Sequence, residues 1–467
     1  MKKLLFSDVF EVDKNVLKRE GLVNISLLCD LPLFLDPFLI YGSEKEEYKK
    51  LNSEINKYIL FLKNKAINYP LTDELLDRWF LFHEVNNNWL GYCKFGNRGL
   101  GLGKRFANNL YINLRDKLSD YGDNKILEVP HIEKLGLIDE KIGSDNISDF
   151  VMNIIKHYFL EITEEFAHKH LREEFCKEFS VEKAYFDYDL EKWVSKTYYL
   201  PSYNDDYIIL MPKDVLTKDY SFLNTKDLLS RFSLVIGKIP DTKLKGEVNN
   251  YLESIYREGM TKEDENNVKM ATIREFPSII DYYIKEAETN FKSACKLSRD
   301  KVNYVGNTLA NLANKIINEL ASTNFYQLSN LTYEDGLKKV SLIKDLFQHT
   351  DISRYFFRGD VSKIKREEDL ELIFRLVFYG VVSSIDSETI NIKKSINKSL
   401  IEFKIASNPK LKQNLKHQLE DRELITVIFY FNDREKVKLQ KLITSLDLVD
   451  SESIIVIDAR KKKYYKI

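Results

Sequence analysis

The segment that most constrains the fold is 360–467, where the apolar pattern changes period from stretch to stretch. Over 366–379, Leu370, Phe374 and Val377 recur at three- and four-residue steps, the spacing of one helix face. Residues 388–393 alternate as a strand does, Ser395-Ile396-Asn397-Lys398 reads as a turn, and 400–406 reads as the second strand of a hairpin. Asn408 then caps a helix, with Pro409 at its first position. The unbroken apolar run at 426–431 predicts a buried strand, 433–446 a helix, and 453–458 a final strand. This order predicts an α/β sheet sandwiched by helices.

The chain has 467 residues, too many for one ordinary core, so two or three domains are expected. We expect an α+β protein overall: a mixed α/β region at 1–225, a helical region at 226–350 and the α/β sandwich at 351–467. Hydrophobic residues at 44% and charged residues at 31% fit a folded chain rather than a disordered one. The balance of 71 Lys+Arg against 72 Asp+Glu excludes a uniformly basic nucleic-acid coat but leaves room for a local basic patch. Cys29, Cys93, Cys176 and Cys295 form no CxxC pair, so neither a zinc knuckle nor a disulfide framework is signalled, which fits a reducing cytoplasm. The apolar run Leu4-Leu5-Phe6 is too short for a signal peptide. No stretch reaches the roughly 20 apolar residues of a membrane helix.

Upstream, 22–28 reads as a strand and 44–66 as an amphipathic helix. Gly96, Gly99, Gly101 and Gly103 precede a helical 105–118, but Arg105 follows Lys104 where a phosphate loop carries Ser or Thr. A plain turn is the better reading. A long helix is expected over 148–177, capped by Asp145 or Ser148. His131, Glu133, Asp145 and Asp149 could instead group as a metal or polar site. Residues 207–211 look like a strand closed by Pro212, and the tyrosines around Trp193 read as packing residues. From 226 to 348 the pattern is mostly helical, with Leu309, Leu312, Ala313, Ile316, Ile317 and Leu320 as a bundle core.

Glu402-Phe403-Lys404 carries the chemistry we expect. Alternation places Glu402 and Lys404 on one face of the strand and Ile401, Phe403 and Ile405 on the other. A carboxylate beside an ammonium suits phosphodiester hydrolysis. The carboxylate can hold Mg²⁺ (or Mn²⁺), and the lysine can orient or deprotonate water or stabilise developing charge. Asp386 and Glu388 stand at the start of the preceding strand as a further metal ligand. Glu367 and Glu371 fall on the apolar stripe of their helix, where a carboxylate needs a partner. Asn414 and Gln418 lie next to the stripe of Leu411, Leu415 and Leu419. Lys393, Lys394, Lys398, Lys404, Lys410, Lys412 and Lys416 crowd one stretch in which Glu402 is the sole acid, which suits a polyanionic substrate.

With Glu367, Asp386 or Glu388, Glu402-Phe403-Lys404 and Gln418 in this order, residues 360–460 resemble the PD-(D/E)xK restriction-endonuclease-like nucleases. The segments 402–415 and 142–149 are also similar to large bacterial proteins linked with defence against phage. The resemblance implies a cytoplasmic metal-dependent nuclease with Glu402 and Lys404 as central carboxylate and lysine. Asp386, Glu388 and Glu402 would be metal ligands, Glu367 and Gln418 further catalytic groups, and Lys393, Lys398, Lys410, Lys412 and Lys416 nucleic-acid contacts. DNA is favoured over RNA as substrate. A companion defence protein or a second copy of the chain is expected as partner, and no membrane. No Pro-Asp pair precedes the hairpin, so the first metal ligand stays open between Asp386 and Glu388, and no tyrosine follows Gln418. The alternative is a non-catalytic protein, binding nucleic acid or a partner on a degenerate nuclease fold.

Overall fold

The computed structural model describes every residue except 1–4, 28–29, 92–101, 119, 124–125, 128, 140–141, 219–221, 330–331, 359–360, 365, 380–400, 419–423, 450 and 462–467. The protein is mixed α and β with small sheets, as expected. Its contacts divide it into two compact units, one of residues 10–25 and 30–302 and one of residues 1–9, 26–29 and 303–467. The helices expected as one run over 226–350 are shared between them. Among the described residues, no helix is long and apolar enough to cross a membrane.

In the unit built from 10–25 and 30–302, α1 (Glu46–Asn68) buries Leu51, Ile55, Tyr58, Ile59 and Leu62. Two helices follow, α2 (Ser144–Ile154) and α3 (Lys156–His170). The single long helix expected over 148–177 is thus corrected: the chain breaks at Ile155 and leaves helical structure after His170. Neither expected cap is used. Gly143 caps α2 instead, and its N–H donates to the Asn146 side chain at 3.0 Å. A hairpin the sequence did not announce comes next, β1 (Cys176–Asp187) antiparallel to β2 (Lys192–Tyr203), with a register shift between Val181 and Tyr185. Its turn is closed by the Asp187 carboxylate, which accepts from the N–H groups of Asp189 and Leu190. Trp193 packs with Tyr58 and Phe186 at ring separations of 5.3 and 5.4 Å and is half-buried, so it is a packing residue. The expected strands at 22–28 and 207–211 are also corrected. Leu22 makes only an isolated bridge to Pro212, and pairing stops at Tyr207. Among the helices that follow are α4 (Thr225–Gly237), α5 (Thr242–Ile255), α6 (Lys262–Glu275) and α7 (Ser278–Glu288).

In the unit that holds 303–467, α8 (Ala310–Leu320) buries the expected bundle stripe, Leu312, Ala313, Ile316, Ile317 and Leu320. Next come α9 (Tyr333–His349) and α10 (Glu367–Tyr379). The sheet follows as β3 (Ile401–Ile405), α11 (Leu411–Gln418), β4 (Ile425–Tyr430), α12 (Asp433–Ser445) and β5 (Ile454–Asp458). The three strands are parallel in the order β5–β4–β3, with Lys404 paired to Ile428 and Ile457 to Phe429. Strand β4 is buried along its whole length, which explains its unbroken apolar sequence. One face receives α9 and α10: Phe374 stacks on Phe403 at 4.3 Å, and Phe347 meets Phe429 at 5.4 Å. Gly336 lets α9 approach the sheet, because a Cβ there would lie 2.9 Å from the Ile425 side chain. The other face is closed by Leu411 and Leu415 of α11 and Leu439 of α12 over Ile428 and Tyr430. The expected hairpin partner of β3, at 388–393, lies outside the described residues.

Candidate active site around Lys404

Helix α10 and strand β3 bring three of the expected residues together. Phe403 turns into the core against Phe374, so alternation sends Glu402 and Lys404 to the opposite face, that of Ile428. The Lys404 ammonium lies 3.1 Å from Glu402 Oε2 and 3.2 Å from Glu367 Oε1. Its side chain is 11% exposed and that of Glu367 15%, whereas Glu402 is 37% exposed and reaches towards solvent. Burial alone lowers the Lys404 pKa, but Glu367 and Glu402 outweigh it and raise the group above an ordinary lysine. Lys404 is therefore an ammonium at neutral pH.

Glu367 is the joint of the site. Ala406 N–H donates to Phe429 in β4, so the neighbouring N–H of Ile405 points away from β4. Glu367 Oε2 accepts that N–H at 3.2 Å and the Asn408 side-chain amide at 2.9 Å. Asn408 Oδ1 in turn accepts from Lys410 N–H at the approach to α11. One carboxylate thus fixes the lysine, the outer side of β3 and the start of the lysine-bearing helix. A carboxylate buried on an apolar helix is tolerable only when partnered in this way. Glu371 sits one turn along α10, partly exposed.

The remaining expected residues divide cleanly. Lys410, Lys412 and Lys416 are exposed on or just before α11, and Asn414 is half-buried there. Asp386, Glu388, Lys393 and Lys398 lie outside the described residues, as does the side chain of Gln418. From the sequence Asn408 reads only as a cap; its bond to Glu367 spans 41 residues and leaves no local signature.

For a metal ion, the described donors are two carboxylates. Glu367 is already committed to Lys404 and two N–H groups, and Glu402 is the more exposed. Among the described residues, no group of three or more His, Cys, Asp or Glu is arranged to hold a metal. Mg²⁺ needs fewer protein ligands, since one or two carboxylates with water and substrate phosphate complete its shell. The hard oxygen of Glu402 fits that ion.

His131 belongs to a different arrangement from the one expected. Its Nε2 lies 3.1 Å from Glu288 Oε1 and its Nδ1 3.7 Å from Glu133 Oε2, so carboxylates flank both sides of the ring. Tyr41 donates to Glu288 at 2.7 Å. Burial opposes charge on the imidazole, but Glu133 and Glu288 outweigh it and raise its pKa to about 9. Both ring nitrogens thus face carboxylate oxygens, and a protonated ring has no lone pair for a metal. Asp149 is raised to about 8 by burial, with Glu84 and Asp145 as its charged neighbours, and among the described residues no group of three or more His, Cys, Asp or Glu that takes in His131 is arranged to hold a metal.

Residues 11–224 match a family model described as a domain of unknown function (DUF8370). Residues 332–423 match a second model, also described as a domain of unknown function (DUF8371), which takes in Glu367, Glu402, Lys404 and Asn408. No curated protein and no solved structure matches the chain.

Proposed function

We propose that the protein is a metal-dependent nuclease hydrolysing phosphodiester bonds, with DNA favoured over RNA, and that β3 carries its active centre. The observation that carries this reading is Lys404 held between Glu402 and Glu367 on one sheet face. Glu402 offers an oxygen for Mg²⁺ or Mn²⁺, with Asp386 or Glu388 as the expected second ligand. When bound, the ion supplies Lewis-acid polarisation of the phosphate. Lys404, kept protonated by its two carboxylates, orients the attacking water and offsets charge that develops on the phosphate. That protonation favours these roles over proton abstraction. Glu367 holds the ammonium in place and ties it to Asn408. Lys410, Lys412 and Lys416 give the substrate backbone a basic approach. A setting in bacterial defence against phage, in the cytoplasm and with a companion protein, rests on the sequence resemblance.

A second reading has its own observation. Glu367 spends Oε2 on Ile405 and Asn408, so the ion-pair cluster could serve only to close the outer side of β3 around a binding domain. Purified full-length protein with DNA or RNA and Mg²⁺ or Mn²⁺ separates the two. The nuclease reading expects cleavage that Glu402→Ala and Lys404→Ala abolish. Identical behaviour of wild type and both variants would overturn it, and salt-sensitive binding by the wild type without metal-dependent cleavage would favour the second.

A further inference from the structure

Helices α11 and α12 lie on one face of the sheet. Leu411 and Leu415 anchor α11 there, and Leu439 and Leu442 anchor α12, all over the cluster that contains Ile428 and Tyr430. A helix turns about 100° per residue. Lys412 and Lys416 each follow a buried leucine by one residue, so they stand on one flank of α11, and both are exposed. Lys438 precedes Leu439 and stands on the opposite flank of its own helix. Arg434 and Lys441 turn outward beside it, and all three are exposed. Crossovers between parallel strands of one sheet are right-handed. With β3, β4 and β5 adjacent in that order, this handedness turns the two flanks towards each other. The crevice between α11 and α12 therefore carries cations on both walls.

These cations are unspent. Among the described residues none of the five is ion-paired, whereas Arg460 nearby engages both Asp433 and Asp458. Glu435, the other acid of α12, accepts from Phe431 N–H and from the Asn432 side chain. Residues 410–418 hold no acid. Lys412 with Lys416, and Arg434 with Lys438, are like charges four residues apart, which destabilises a helix until an anion lies between them. Two such walls suit a linear anion. Arg434, Lys438 and Lys441 span about 10 Å of helix axis, a length over which one DNA strand presents about three phosphates. We propose that this crevice holds the phosphate backbone of nucleic acid, with α12 as a binding wall in its own right. The choice of polyanion rests on the nuclease reading, but the surface uses no residue of the Lys404 centre.

Binding of a labelled DNA duplex, and of an RNA duplex of the same length, to the full-length protein in chelator and across a series of salt concentrations tests this. Chelator keeps metal-dependent cleavage out of the measurement, so failure of the crevice and failure of the nuclease reading are separate results. Arg434→Gln, Lys438→Gln and Lys441→Gln together should lower the slope of log affinity against log salt by about 2–3, at about 0.9 per lost phosphate contact. Adding Lys412→Gln and Lys416→Gln should bring the loss to about 4–5. Glutamine is as good a helix former as lysine, so the circular dichroism should not change. Lys49, Lys169 and Lys243 already face Glu46, Glu165 and Glu247. Changing these three to Gln removes the same charge and should leave the slope unchanged. A wild type that binds neither duplex, a slope that the α12 substitutions leave intact, an equal loss from the control set, or equally tight binding of polyglutamate overturns the proposal.

Discussion

Replacing Glu367 by Gln should loosen β3 while leaving its acceptor in place. Glutamine keeps a carbonyl for the Ile405 N–H and the Asn408 amide, so the change isolates the charge that faces Lys404. A fully buried pair that loses one partner costs about 3–5 kcal/mol, and an exposed pair about 0–1 kcal/mol. Lys404 is 11% exposed but retains Glu402 at 3.1 Å, so the expected cost is about 1–2 kcal/mol. Tryptophan fluorescence will not see it, because Trp79, Trp89 and Trp193 all belong to the other unit. Hydrogen exchange with peptide-level mass spectrometry will. Peptides over 401–406 and 425–430 should exchange about 5–30 times faster in the variant, the factor that 1–2 kcal/mol implies. Lys404→Met should also speed exchange, and the double variant should be less impaired than the sum of the two singles. The Lys404 pKa is raised above its ordinary 10.5, so this stabilisation is full below pH 10.5 and is lost as pH rises further; the comparison belongs near neutrality. Unchanged exchange in Glu367→Gln, or strictly additive effects, would refute the clamp.

Three further outcomes are expected. Changing Lys410, Lys412 and Lys416 to Glu should lower the salt-dependence slope of duplex binding by about 2–3, at about 0.9 per lost phosphate contact; an unchanged slope would remove α11 from the interface. His131 holds its proton up to about 9 in the folded state, against an ordinary 6.5. The stability it gives the 10–302 unit is therefore full below pH 6.5 and is lost as pH rises through 9, by on the order of 3 kcal/mol. Asp36, raised to about 7 by burial and Glu133, and Asp149, raised to about 8, have the same sign below those values, so His131 is read above pH 8. Urea unfolding followed by tryptophan fluorescence should show the decline in wild type and a flatter profile in His131→Gln. Gly42→Ala should destabilise the same unit by about 1–3 kcal/mol, because its Cβ would meet the Phe291 ring at 2.2 Å; a neutral result would mean the ring gives way freely.

The sheet around Lys404 was legible because each of its elements signals itself. Strand β4 is buried on both faces and reads as an apolar run, and α12 starts at Asn432, whose side chain caps Glu435 N–H. The phase of Phe403 against the core placed Glu402 and Lys404 on one face without any knowledge of what they touch. The β1–β2 hairpin was not legible, because the charge-rich run through Glu173 and Lys177 continues the look of α3 while the chain has already turned. Nor were the long-range partners. His131 meets Glu133 two residues away and Glu288 157 residues away, and only the first can be read from spacing. Glu367 was flagged by its position on an apolar stripe, but nothing local names Ile405 or Asn408 as its partners.

Cleavage of end-labelled DNA and RNA by the full-length protein, with Mg²⁺, with Mn²⁺ and with chelator, decides whether β3 carries an active centre. Glu402→Gln and Lys404→Met provide near-isosteric controls. A centre built on Glu402 and Lys404 requires that wild type cut only with the metal and that cutting vanish in both variants while nucleic-acid binding persists. Metal-independent cutting, or cutting that both variants retain, would contradict it.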